Sequence, residues 1–402
     1  MRDAASLTPK PIEPSIRDVA QRQMRIALVA SSYNYIKDGV ALTLNRLVAY
    51  LERQGVEVLV FAPVGSAPAF VHQGTVVPVP SMALPRRPEY RLAFGLSRQN
   101  LQRLRAFRPD ILHIAFAPDF LGYSAWRFAE RWNIPLVASY HTRYETYLKH
   151  YWYVAGLKGV LSWYLRRFYG ACREVYVPSR SMVEVLLAEG LRDNFRLWPR
   201  GVDLGQFDPD KRSARWRARY GIGAAEVIVL HVSRLVREKR TDTLEATLRL
   251  LEARGVAHRS VIVGDGPERA RLEARLPRTI FTGFLQGEDL SEAYASSDIF
   301  LFPSETESFG NVTLEALASG LPCVCADATG SRSLVEHGRS GYLAEPGSVE
   351  EFATHVGRIA ADPELRQKMA VAARDHSRSF SWDGTMDRIL GYYKSLLAGS
   401  AA

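Results

Sequence analysis

Two doubly wound α/β domains, facing one another across a cleft, are the fold that this sequence predicts, and three observations carry the prediction. Short apolar runs recur along the chain, helical patterns separate them, and the alternation restarts after a polar stretch around Asp208–Arg219. Continuous apolar strands bounded by turns and joined through helices belong to parallel sheets covered on both faces. At 402 residues the chain is too long for one ordinary domain and comfortable for two.

The elements follow in order. Residues 1–23 hold three prolines and scattered charges with no apolar centre, which predicts a flexible tail and not a signal peptide. MRIALVA (24–30) is the first strand, and a helical pattern runs from about Ala41 to Gln54, where Gly55 stops it. VEVLVFAP, TVVPVP, DILHIAF, IPLVASYH and EVYVPS continue the first domain, assigned to 24–205. VIVLHVS, SVIVGDG, TIFTGF, IFLFPS and PCVCADA are the strands of the second, assigned to 222–380. The last helical segment, 381–398, is expected to cross back to the first domain. In open parallel sheets ligands bind beyond the carboxyl ends of the strands, so two facing sheets would place the chemistry between them.

Composition narrows the class. The apolar fraction of 47% and charged fraction of 24% are those of an ordinary globular protein. No apolar run approaches the ~20 residues that span a bilayer. Cys172, Cys323 and Cys325 form no C-x-x-C pair, and an odd count fits a reduced, cytoplasmic setting. Residues 1–200 carry 27 Lys+Arg against 15 Asp+Glu, a balance of +12, whereas the remainder stands at −3. A basic first half implies an anionic surface or ligand nearby. No nucleic-acid module accompanies it, so nucleic acid is not expected as a partner.

The chemistry concentrates in residues 307–320, ESFGNVTLEALASG. Phe309, Gly310 and Asn311 fall at a helix N-terminus, where unsatisfied N–H groups favour an anion such as a phosphate. Glu307 precedes that helix and Glu315 lies within it. Carboxylates beside a phosphate site suit sugar hydroxyls better than phosphate. Arg234 ends the first strand of the second domain and Lys239 follows one turn later, two cations able to stabilise a departing diphosphate without a metal. Gly264-Asp265-Gly266 is only a partial dinucleotide fingerprint, since Arg269 replaces the third glycine; Gly266 is expected to line the nucleotide site. In the first domain, Gly39 is placed in a loop just ahead of a helix, and His141 ends a strand facing the cleft. No metal-spaced set and no nucleophile elbow is present, and no cofactor or metal is expected.

These residues resemble the retaining glycosyltransferases of family 4, which have the GT-B fold of two Rossmann-like domains. The resemblance covers about residues 24–395. The family's E-x7-E spacing matches Glu307 and Glu315, which implies donor-sugar contact for the first and ribose contact for the second. Arg234 and Lys239 match its diphosphate-binding pair, His141 its first-domain histidine near the sugar, and the backbone of Phe309–Asn311 its sugar and phosphate contacts. SETESFGNVTLEALASGLPCVCADATGSRSLV, WPRGVD and SYHTRYETY look similar to bacterial mannosyl- and sulfoquinovosyltransferases of diacylglycerol glycolipids. The glycine-rich first loop is reduced here to Asp38-Gly39-Val40. The resemblance implies a nucleotide-binding second domain, an acceptor-binding first domain, and front-face transfer with retention, the donor being GDP-mannose or a UDP-hexose. Alternatives are a polyprenyl-linked or soluble acceptor, or a nucleotide-sugar epimerase or hydrolase on the same fold.

Segment 143–169 mixes aromatics with cations, and Glu145 is its one acidic residue. Lys149, Trp152, Lys158, Trp163, Arg166 and Arg167 are the candidates for an interface with anionic lipid. A lipid or lipid-linked acceptor follows, with the protein peripheral on the inner face of the cytoplasmic membrane. The competing reading puts Trp163, Leu165 and Phe168 partly in the core.

Overall fold

The computed structural model describes residues 23–84, 87–115, 119–140 and 158–399. The chain divides into two compact units: the first runs to Val177 and takes in Leu186–Trp198 and the chain from Met386 onward, and the second comprises Pro178–Val185 and Pro199–Thr385.

Among the described residues the first unit contains β1 (Arg25–Val29), β2 (Glu57–Ala62), β3 (Thr75–Pro78), β4 (Ser81–Leu84), β5 (Arg87–Ala93), β6 (Ile111–Ile114), β7 (Leu136–Ser139), β8 (Glu174–Val177) and β9 (Phe195–Leu197). Seven of these form one parallel sheet in the order β3-β2-β1-β6-β7-β8-β9, and β4 with β5 makes an antiparallel pair. The order reverses direction beside β1, as doubly wound sheets do. β1 is buried from Ile26 to Val29, which explains its unbroken apolar sequence. The helix Gly39–Arg53 buries Ala41, Leu44, Leu47, Val48 and Leu51, one face at helical spacing. Gly39 is its first residue and not a loop residue ahead of it. Asp38 is the stronger stop, because its Oδ1 accepts the N–H of Ala41 at 2.7 Å.

His113 on β6 is wholly buried, with Nδ1 2.6 Å from the hydroxyl of Tyr393 on the terminal helix. The rings of Tyr176 and Trp198 pack on it at 5.5 and 6.1 Å. Burial holds its pKa down to about 3, so it is a neutral core group. No helix among the described residues is long and apolar enough to cross a membrane.

The second unit holds β10 (Ile228–Val232), β11 (Arg259–Val263), β12 (Ile280–Gly283), β13 (Ile299–Phe302), β14 (Cys323–Ala326) and β15 (Gly341–Ala344). They form one parallel sheet in the order β12-β11-β10-β13-β14-β15. Successive residues point to opposite faces: Phe300, Phe302, Cys323 and Cys325 enter one core, while Ile299, Leu301, Val324 and Ala326 enter the other. Cys172, Cys323 and Cys325 are buried free thiols that pack as small hydrophobes. The pattern reading did not mark β4, β5, β9 and β15, which are short or half-polar runs.

Candidate active site in the second unit

The site is built where β10 and β13 end. Beyond β10 the chain passes through Ser233 and Arg234 into a single turn, Arg237–Lys239. The exit of β11 holds this segment: the N–H of Ser233 donates to Val263 O at 3.1 Å and that of Leu235 to Asp265 O at 2.8 Å. So close an approach needs glycines. A Cβ on Gly264 would lie 1.8 Å from Ser233 O, and one on Gly266 would lie 2.4 Å from Leu235 O. Both have φ in the region that side chains avoid, +128° and +156°. Gly266 therefore seats the loop carrying Arg234, and it is not among the residues lining the depression described next.

Beyond β13, residues 303–310 lead to the helix Asn311–Ala318. Gly310 precedes it at φ 96°, with no side chain capping the helix N–H groups. At the other end Arg374 donates to Ala318 O at 2.6 Å and pairs with Asp208, fixing the helix C-terminus. Phe309 is 3% exposed with its ring against Phe380, so only its backbone can serve a ligand. Asn311 is exposed at the helix start.

These two segments line a depression of about 270 Å³. Arg200, Arg234 and Lys239 supply three cations to it and Glu307 one carboxylate. Phe309, Gly310 and Asn311 complete the wall beside the helix N-terminus. The excess of positive charge suits a diphosphate. Lys239 and Glu307 form an ion pair in which both side chains are largely sheltered, 14% and 22% exposed. Ser304 Oγ also donates to Glu307 Oε1 at 3.3 Å, and Thr329 Oγ1 to the Glu307 carbonyl at 2.8 Å. Gly330 lies beneath: a Cβ there would sit 2.5 Å from the Cβ of Glu307. Arg234 is more exposed and pairs with Glu238 at 2.8 Å.

Glu315 lies apart from this wall. Its Oε2 accepts from the Tyr294 hydroxyl at 3.0 Å. Burial pushes its pKa up to about 7, which the Tyr294 hydrogen bond partly opposes. The sequence reading missed Arg200, Ser233 and Tyr294. Arg200 lies within the WPRGVD stretch, but nothing local marks it as facing the site, and Tyr294 sits on a helix of its own.

His141, Lys149 and Trp152 fall outside the described residues. Lys158 begins the helix Lys158–Ala171 of the first unit. On that helix Trp163 is 64% exposed and Arg166 and Arg167 are exposed, while Leu165 and Phe168 are buried. The helix therefore divides the two readings: Trp163 faces solvent and its two neighbours enter the core.

The chain is similar to known proteins over most of its length. The family model "Glycosyltransferase Family 4" matches residues 37–206 and "Glycosyl transferases group 1" matches 213–376. A GDP-mannose-dependent alpha-mannosyltransferase of Mycobacterium tuberculosis is 36% identical, with 93% of this chain and 97% of that protein covered. Sulfoquinovosyl transferase SQD2 of Arabidopsis thaliana is 32% identical over 92% of this chain and 72% of its own length. Among solved structures, sucrose-phosphate synthase from Thermosynechococcus elongatus superposes with a TM-score of 0.74 at 21% identity, covering 94% of this chain and all of that one. That likeness shows the fold, the GT-B arrangement of two Rossmann-like domains.

Proposed function

Because the chain belongs to the family 4 glycosyltransferases and transfers sugar from a nucleotide-sugar, we propose that it moves a hexose, with retention, onto a membrane glycolipid. One observation carries the reading: three cations and an uncapped helix N-terminus converge on a single depression, with a held carboxylate among them. The leaving nucleoside diphosphate gains negative charge as the C1–O bond breaks. Arg200, Arg234, Lys239 and the N–H groups at Gly310–Asn311 oppose that charge most strongly when it is greatest, which lowers the barrier. Glu307 orients the sugar through its hydroxyls, and Glu315 takes the ribose.

The glutamates are positioning groups in this scheme and not a glycosidase acid/base pair. The acceptor hydroxyl enters on the leaving-group side, and a phosphate oxygen takes its proton. Similarity to a GDP-mannose-dependent enzyme favours GDP-mannose as donor. The exposed Trp163, Arg166 and Arg167 support a lipid acceptor presented on an anionic membrane.

Calorimetric titration with GDP-mannose, UDP-glucose, UDP-galactose and UDP-glucuronate tests the donor, with GDP-mannose expected to bind tightest. Transfer to glycolipid in anionic vesicles, followed by product stereochemistry, tests acceptor and outcome. A chain that consumes donor at one rate with or without acceptor would instead be a hydrolase or epimerase.

A further inference from the structure

Ser233 is half-buried at the exit of β10 and lines the depression. Its hydroxyl has two neighbours: His231 Nε2 at 2.8 Å and the Arg234 carbonyl oxygen at 3.0 Å. A hydroxyl has one proton to give and two lone pairs with which to accept. The carbonyl can only accept, so the state of His231 decides the rest.

His231 Nδ1 lies 2.9 Å from the carbonyl oxygen of Leu301. That oxygen has no proton, so Nδ1 carries the ring hydrogen. The ring is 1% exposed and stacks on Phe302 at 5.8 Å. Burial, with the Lys239 charge nearby, holds its pKa down to about 4 against the pull of the Leu301 carbonyl. At neutral pH the ring is therefore uncharged and Nε2 is a bare acceptor. Either neighbour of the Ser233 hydroxyl can accept its one proton, and neither offers one.

We propose that Ser233 is an accept-only hydroxyl in the donor site, one that reads an O–H group of the bound nucleotide-sugar and not its phosphates. The inference rests on the donor reading above. Phosphate oxygens would meet only the lone pairs of Ser233, so the diphosphate falls to the cations and the helix N-terminus. The hydroxyls flanking the diphosphate, on the transferred sugar and on the ribose, have the proton that Ser233 needs. His231 acts as its positioning residue, because its proton-free Nε2 can accept from the Ser233 hydroxyl and hold that hydroxyl's own proton away from the ligand.

The experiment titrates wild type and Ser233→Ala with GDP-mannose, GDP and 2′,3′-dideoxy-GDP, using the uridine set if that base binds better. Losing one neutral hydrogen bond is expected to weaken binding about three- to tenfold. A loss confined to the nucleotide-sugar assigns the transferred sugar's hydroxyl. A loss on the nucleoside diphosphate that disappears with the dideoxy ligand assigns the ribose. Equal losses on both diphosphates, or no loss on any ligand, overturn the proposal. Ser233→Gly removes the same hydroxyl and repeats the test should the alanine variant fail to fold. Wild-type protein that binds none of the ligands overturns the donor reading itself, before any variant is compared.

Discussion

Glu315 sits where a carboxylate is costly. Burial lifts its pKa from 4.5 to about 7 despite the Tyr294 hydrogen bond. Between those values the unfolded chain has released the proton and the folded chain still holds it. Stability therefore falls as pH rises from about 4.5 to 7 and stays lower above that window. Glu315→Gln keeps an oxygen for Tyr294 and removes the charge. It should be more stable than wild type near pH 8 by on the order of 2 kcal/mol, with the gap closing toward pH 4.5. Thermal melts across that range check the sign, and a pH-independent gap would rule out Glu315 as the titrating group. Glu307 carries a different expectation because it is paired with Lys239 among cations. Glu307→Ala should lower kcat about a hundredfold or more, yet bind nucleoside diphosphate as tightly as wild type or tighter, since a negative charge leaves the site. Weaker diphosphate binding, read by calorimetry, would assign Glu307 to the nucleotide and not the sugar.

At the scale of elements, the loop 303–310 is held from below. The Cβ absent at Gly330 would stand 2.5 Å from the Cβ of Glu307 and 3.0 Å from its carbonyl oxygen. Neither atom is the far end of a flexible chain, so Gly330→Ala must shift the loop that carries Glu307. Transfer should fall more than about tenfold, and the melting temperature should fall with it, because Phe309 on the same loop packs in the core. Unchanged kcat would show that the loop absorbs the methyl group without moving Glu307. That contact marks where sequence reading ends. Strands β10, β11, β13 and β14 of the second unit were legible because they are buried apolar runs, and Glu307 and Gly310 because they flank a strand–loop–helix junction. Gly266 was legible as part of a partial fingerprint but not as the seat of Leu235, since that contact joins two strand exits about thirty residues apart. Tyr294 against Glu315 and Gly330 under Glu307 join separate elements for the same reason. At the sheet edges, β9 has only three residues, and β15, as long as β13, opens on a glycine and reads as the broken run Gly341-Tyr342-Leu343-Ala344.

For the whole molecule the charge asymmetry makes the broadest prediction. The first 200 residues carry +12, while every residue lining the depression except Arg200 belongs to the half that stands at −3. On the helix Lys158–Ala171 the burial of Leu165 and Phe168 leaves Trp163, Arg166 and Arg167 facing outward. An amphipathic ring beside two guanidinium groups suits the headgroup region of an anionic bilayer. Each arginine near such a surface is worth about 1 kcal/mol, and screening removes that attraction at high salt. The double variant Arg166→Glu/Arg167→Glu should therefore lose co-sedimentation with vesicles rich in phosphatidylglycerol by more than about tenfold. Trp163→Ala should weaken binding at both low and high salt, because its contribution is apolar. Nucleotide binding should be unaffected in all three substitutions, which lie in the other unit. Vesicle binding that survives the arginine changes and ignores salt would place the membrane contact elsewhere in the first unit, and the lipid acceptor would lose its structural support.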